Sequence, residues 1–219
     1  MSVADFMTKK VSTVTPDTKI NVAISIMKEQ NIHRLPVLSS GKLVGIITQR
    51  DIERATPSEA TSLSIYEITY LLNKMTVVDV MSKNVKTVNQ DAFLEDAIYV
   101  MRQSQIGVLP VMNDDELVGI ITNNDILDAF LDVTDYAENA TAVQVFVAQD
   151  HPGIIFEIGE IMKNNDLNIQ TLMVTHQDAL KIVEIHVDQV DGQQVVNKLS
   201  EAGFKAQEAK HYKEQVSDL

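Results

Sequence analysis

The stretch Leu43-Val44-Gly45-Ile46-Ile47-Thr48-Gln49-Arg50-Asp51-Ile52 occurs a second time as Leu117-Val118-Gly119-Ile120-Ile121-Thr122-Asn123-Asn124-Asp125-Ile126. The match extends upstream without a gap. Val3 to Arg54 overlays Val77 to Asp128 at a constant shift of about 74 residues, with roughly 23 of about 52 positions identical, which marks an internal repeat. Each copy carries too little apolar surface to close a core alone, so the two are expected to pack into one body.

Within each repeat the apolar spacing gives the same order of elements. A short opening helix (Val3, Phe6, Met7; Val77, Val80, Met81) precedes a small strand, Val11 to Val14 or Val85 to Val88. Helices follow over Asp17 to Gln30 and Asp91 to Ser104, with Ile20, Ala23, Ile24 and Met27, and Leu94, Ala97, Ile98 and Met101, at helical spacing on one face. Two strands joined by a turn come next, Leu35 to Leu38 with Leu43 to Ile47, and Leu109 to Met112 with Leu117 to Ile121. A last helix starts after Thr48 or Thr122. Between the repeats, Thr56-Pro57-Ser58-Glu59 reads as a capped helix start. It opens a connecting helix to about Lys74, striped by Leu63, Tyr66, Tyr70 and Leu71.

Beyond Phe130 the pattern changes. Asp132 to Ala140 is acidic and reads as a linker. Ala142 to Ala148 alternates as a strand, Asp150-His151-Pro152-Gly153 turns, and Ile154 to Asn164 is a helix with Ile154, Ile155, Ile158, Ile161 and Met162 inward. Strands over Asn168 to Val174 and Lys181 to Val187, turning through His176-Gln177-Asp178, a helix over Gln193 to Ala202 and a strand over Phe204 to Ala209 complete a split βαβ order. The expected divisions are 1–55, 56–76, 77–131, 132–140, 141–210 and a polar tail, 211–219.

Composition narrows the function. The 219 residues carry a formal net charge of −13, which repels phosphate backbones and argues against general nucleic-acid binding. No cysteine is present, so thiolate chemistry and disulfides are excluded. No apolar run reaches membrane-span length and no secretory signal is visible, so a cytoplasmic protein with no membrane partner is expected. His151, His176, His186 and His211 lack metal spacing, and no Gly-x-Ser-x-Gly or P-loop occurs. An enzyme and a catalytic cofactor are not expected.

Thr48-x-x-Asp51 and Thr122-x-x-Asp125 each stand where a buried strand runs into a helix. Two readings are open. The pairs can cap the helix, satisfying free backbone N–H groups. Alternatively, the helix start can receive an anion while the carboxylate accepts vicinal hydroxyls such as those of a ribose.

Two repeats with Leu-Pro-Val and Gly-Ile-Ile-Thr-x-x-Asp resemble a tandem pair of CBS domains over about Val3 to Phe130. The resemblance implies an α/β (α+β) fold, two βαββα repeats packed sheet to sheet, with two pseudosymmetric clefts that take adenosine compounds. The acidic residues, Asp51 and Asp125, would hold ribose hydroxyls, with Thr48 and Thr122 beside them. His33 and Arg34 resemble the family's phosphate-contacting pair, whereas Gly107 and Val108 in the second repeat supply no charge. One principal nucleotide site is therefore expected, on Asp51, Thr48, Arg34 and His33, with Met81, Lys86 and Ile106 approaching from the other repeat. The cleft at Asp125 would be weak, empty or suited to an uncharged nucleoside end.

The last unit resembles a ferredoxin-like βαββαβ ACT domain, which implies Asp150, Gly153 and Asn168 as candidate amino-acid contacts. The order CBS–CBS–ACT resembles the acetoin utilization protein B family. Together these imply a regulatory homodimer sensing AMP, ADP or ATP and acting on a partner protein in acetoin or related carbon metabolism. The rival readings are an amino-acid sensor working through the ACT domain and a ligand-free assembly protein.

Overall fold

The computed structural model describes residues 1–56, 65–134, 141–178, 180–188 and 191–209. The chain divides into two compact units, Met1–Leu127 and Asp128–Leu219.

In the first unit, α1 (Val3–Phe6), α2 (Ile20–Glu29), β1 (Arg34–Ser39), β2 (Lys42–Thr48) and α3 (Gln49–Ala55) form the first repeat. After α4 (Ile65–Lys74) the second repeat follows as α5 (Val77–Val80), β3 (Val88–Asn89), α6 (Leu94–Ser104), β4 (Val108–Asn113), β5 (Glu116–Thr122) and α7 (Asn123–Val133), whose residues from Asp128 on belong to the second unit. Leu-Pro-Val starts an antiparallel hairpin in both copies. Pro36 faces Ile46 and Pro110 faces Ile120 in the same register, with a bulge after Val37 and after Val111. The turn differs: Ser40 and Gly41 both have positive φ in the first hairpin, whereas Asp114 alone does in the second. Leu35, Val37 and Ile47 of the first hairpin and Leu109, Val111 and Ile121 of the second are fully buried.

The opening segments cross over. Thr8 bridges Ile120 and Ser82 bridges Ile46. Each bridge carries two backbone hydrogen bonds of 2.9 to 3.0 Å. Further back, Val3 N donates to Ala92 O and Val77 N to Thr18 O, both at 2.9 Å. Each repeat thus lends its first residues to the other. Val77 is buried in the first repeat's core, with Val80 and Met81 packed against it. The opening helices are short, but reciprocal boxes hold their starts. Asp5 accepts from Ser2 N and Asp79 from Thr76 N, both at 2.8 Å. These bonds hold both carboxyls below their usual pKa.

Gly45 and Gly119 make this exchange sterically feasible. A Cβ on Gly45 would press into Met81 Sδ and stand 3.2 Å from Ser82 O; one on Gly119 would press into Met7 Sδ and stand 3.2 Å from Thr8 O. The Gly-Ile-Ile signature is a landing place for the other repeat's methionine.

Several boundaries differ from the sequence expectation. The strands expected over Val11 to Val14 and Val85 to Val88 shrink to a single bridge, Val14 to Val37, and to the two-residue β3. Ile24 is exposed rather than inward, and Ile26 packs on the core in its place. The start of the connecting helix at Pro57, with Glu59 and Leu63, lies outside the described residues; its later part is α4. Asp132 and Val133, read as linker, belong to α7.

The second unit continues with β6 (Thr141–Val147), α8 (Ile154–Asn164), β7 (Ile169–Gln177), β8 (Leu180–Val187), α9 (Gly192–Glu201) and β9 (Lys205–Ala209). The sheet order β7-β8-β6-β9, antiparallel throughout, is the split βαβ arrangement of ferredoxin-like folds. Its core joins Val143, Val145 and Val147 of β6 and Val183, Ile185 and Val187 of β8 to Ile158, Met162 and Leu199 of the helices. Ile155, expected inward, is exposed because it lies one step off the stripe of Ile154, Ile158 and Met162. β7 runs on to Gln177, so the expected turn at His176 is strand, and Asp178 with positive φ begins the reversal.

The close approach at the two signature glycines makes a prediction. Gly45→Ala and Gly119→Ala should each destabilise the first unit by about 1–3 kcal/mol through overpacking. Gly159→Ala, in α8 with open space at its Cβ position, should be neutral or stabilising. Urea unfolding followed by circular dichroism measures all three.

Candidate functional site

Two cavities flank the paired hairpins. The first, about 530 Å³, is lined from the first repeat by His33, Arg34, Thr48, Gln49, Arg50 and Asp51. The second repeat adds Ser82, Asn84, Lys86, Ile106, Gly107 and Val108. The second cavity, about 300 Å³, has Thr122, Asn124 and Asp125 on one side and Thr8, Lys10, Ser12, Ile32, His33 and Arg34 on the other. Both exist because the opening segments cross over: residues just after Ser82 wall the Asp51 cleft, and residues just after Thr8 wall the Asp125 cleft.

Each Thr-x-x-Asp pair makes a reciprocal cap. Thr48 N and Oγ1 donate to Asp51 Oδ2 at 2.9 and 2.6 Å, and Asp51 N donates to Thr48 Oγ1 at 3.2 Å. In the second repeat Thr122 N and Oγ1 donate to Asp125 Oδ2 at 2.6 and 2.7 Å. These helix contacts fall on one carboxylate oxygen, so capping and ligand contact do not compete for the same atom. The clefts differ at the other oxygen: Thr8 Oγ1 stands 3.5 Å from Asp125 Oδ1, at the outer limit of a hydrogen bond.

His33 Nδ1 is 2.9 Å from Gln49 Oε1, and the Gln49 amide nitrogen donates to Glu53 Oε1 at 2.9 Å. That amide orientation makes Oε1 the acceptor, places the imidazole proton on Nδ1 and leaves Nε2 as the ring's other polar atom. Arg34 is partly buried at the head of β1. Burial pushes its guanidinium below the ordinary arginine value, and the Asp125 carboxylate opposes that shift.

The expected residues do not all share one cavity. Thr48, Asp51, His33, Arg34, Lys86 and Ile106 line the Asp51 cleft together. Met81 is not among its lining residues; it packs on the first repeat's core over Gly45. Thr122 and Asp125 line the other cleft. Gly107 and Val108, read from sequence as supplying no charge, wall the Asp51 cleft, while His33 and Arg34 reach both. The crossover is the reason, since each repeat's first hairpin strand begins against the opposite repeat's cleft. Arg50, Asn84 and Lys10 were missed. Applying the 74-residue shift to the cleft walls would have found the last two, which are equivalent positions.

In the second unit Asp150 is engaged by Lys181 Nζ at 2.5 Å, which holds its carboxyl below the usual range. Gly153 has φ +99 and stands at the start of α8, a conformation that L side chains rarely adopt. Asn168 is exposed just before β7. Among the described residues no group of three or more His, Asp or Glu is placed to hold a metal. Likewise no described helix is long and apolar enough to cross a membrane.

The similar geometry of the two caps predicts similar energetics. Thr48→Ala and Thr122→Ala should each cost about 1 kcal/mol, the usual loss for a Ser or Thr cap. Urea denaturation of the two variants beside wild type checks both the size and the equality.

Comparison with known proteins agrees with the repeat architecture. The CBS domain profile matches residues 3–58 and again 77–132, just over half of the chain. The CBS domain-containing protein YhcV of Bacillus subtilis is 36% identical over 125 residues, 57% of this chain and 82% of that protein. A structure from Vibrio cholerae described as an acetoin utilization protein (AcuB) is 30% identical with a TM-score of 0.53, covering 63% of this chain and 96% of the other. The CBS domain pair of protein MJ0100, solved with 5-methylthioadenosine and S-adenosyl-L-methionine, is 32% identical with a TM-score of 0.50, covering 59% and 95%. The chain belongs to the CBS-domain family, with the two CBS domains forming a tandem pair.

Proposed function

We propose that this protein is a regulatory sensor that binds an adenine nucleotide, of the AMP, ADP or ATP type, in the Asp51 cleft. One observation carries the reading. Asp51 and Thr48 at a helix start, His33 and Arg34, and Lys86 and Ile106 from the other repeat converge on a cavity of about 530 Å³. That volume is within the usual range for small-molecule sites. Asp51 Oδ1 supplies the acceptor for ribose hydroxyls, Ile106 and Val108 an apolar wall for the base, and Arg34 and Lys86 the positive charge for phosphate. The adenosine ligands of the MJ0100 pair support the ligand class.

Because the cleft takes side chains from both repeats, a bound nucleotide bridges them. It also acts on Asp51, which caps α3, and α3 leads into the segment connecting the repeats. A ligand with different affinity for two arrangements of these parts shifts the balance between them, and a partner protein reads the outcome. Neither a catalytic step nor a catalytic cofactor belongs to this reading.

An acetoin-related role is supported by the likeness to the Vibrio cholerae protein. Exposed apolar side chains on α2 (Val22, Ile24) and on α6 (Tyr99) support a homodimer. An ACT-type identity for the second unit is supported by its split βαβ order. Amino-acid binding there would fall to Gly153 and Asn168, since Asp150 is engaged by Lys181.

Titration calorimetry with AMP, ADP, ATP and S-adenosylmethionine tests the central reading. At least one should bind saturably. Asp51→Asn, which keeps an acceptor for the cap, should weaken that binding about tenfold or more through loss of charged hydrogen bonds to the ribose. Absence of binding across the panel, or binding indifferent to Asp51→Asn, would overturn it.

A further inference from the structure

The two clefts are not independently furnished. Each has a lysine of its own, Lys86 in the Asp51 cleft and Lys10 in the Asp125 cleft. Both are lined by the same arginine, Arg34. The position equivalent to Arg34 in the second repeat is Val108, so this boundary holds one guanidinium where strict symmetry would give two or none.

The local packing fits a side chain shared in this way. Gly107, equivalent to His33, leaves room beside it. A Cβ there would stand 3.4 Å from Arg34 Nη2 and 2.9 Å from Asn123 Nδ2. The guanidinium therefore lies close over backbone that walls the Asp51 cleft, while its charge is felt by Asp125 in the other.

We propose that Arg34 is a phosphate contact common to both clefts, so that an anionic ligand held by it in one cleft weakens the binding of a second anionic ligand in the other. The proposal rests on the adenine-nucleotide reading above and adds the regulation of that site. A guanidinium presents a planar fork that matches one phosphate bidentately. Two phosphates drawn to one fork must divide its donors, and they repel each other across a partly buried boundary where screening is weak. The coupling is reciprocal, whichever cleft fills first. It does not act on an uncharged adenosine compound, which makes no demand on the guanidinium. The pair is thereby suited to one phosphate-bearing ligand together with one uncharged nucleoside, and disfavours two nucleotides.

Calorimetric titration with AMP and with adenosine, on the full chain and on Arg34→Gln, tests this. In wild type the second AMP should bind at least about tenfold more weakly, relative to the first, than the second adenosine does relative to its first. In Arg34→Gln the first AMP should weaken and the spacing of the two AMP steps should narrow, leaving only the part that repulsion between the phosphates supplies. Equal spacing for AMP and adenosine in wild type would overturn the shared arginine and leave the nucleotide reading standing. So would an AMP spacing unchanged by Arg34→Gln. Binding of neither compound would overturn the shared arginine, and absence of ADP and ATP binding as well would overturn the nucleotide reading with it.

Discussion

The reciprocal loan of opening segments is the constraint on which the first unit depends. The bridges Thr8 to Ile120 and Ser82 to Ile46 tie the start of each repeat to the last hairpin strand of the other. Neither repeat has its full set of backbone partners, nor its full core, without the other. Val77 is a core residue of the first repeat although it opens the second. The glycines at 45 and 119 follow from the same constraint, since any side chain there would collide with the methionine that arrives from across the unit.

The clefts are a by-product of that exchange. A segment that crosses over must run past the helix start of the repeat it joins, and so residues 82–86 wall the cleft of Asp51 while residues 8–12 wall that of Asp125. What each cleft can hold then depends on a few side chains set on a shared scaffold. Against a chain charge of −13, the positive groups at the clefts are concentrated: Arg34, Arg50 and Lys86 at one, Arg34 and Lys10 at the other. A helix start beside each carboxylate adds a field favourable to anions.

Much of this was legible in the sequence. The repeat, the hairpins, the helix starts at Thr48 and Thr122 and the split βαβ order of the second unit follow from local spacing, and local spacing is what periodicity reports. Thr48, Asp51, His33, Arg34, Lys86 and Ile106, grouped from sequence, line one cavity. The crossover of the opening segments is not written in a repeat's own pattern, which does not say which copy its first residues join; only the family resemblance brought Lys86 and Ile106 to the Asp51 cleft. Met81, grouped with that cleft from the resemblance, packs on the first repeat's core over Gly45. Ile24 and Ile155 were placed inward because a helical stripe read from sequence is wider than the strip a neighbour covers.

The central claim is that the exchanged segments make the two repeats a single cooperative body. Native-state hydrogen exchange at the amides of Ile46 and Ile120, which donate to Ser82 O and Thr8 O, tests it most directly. The two amides should exchange through one common opening, with free energies equal to within about 0.5 kcal/mol, and should be weakened together by Gly119→Ala although only Ile120 lies beside that site. Protection that persists at Ile46 while Ile120 exchanges freely would show that the repeats open separately and would contradict the account.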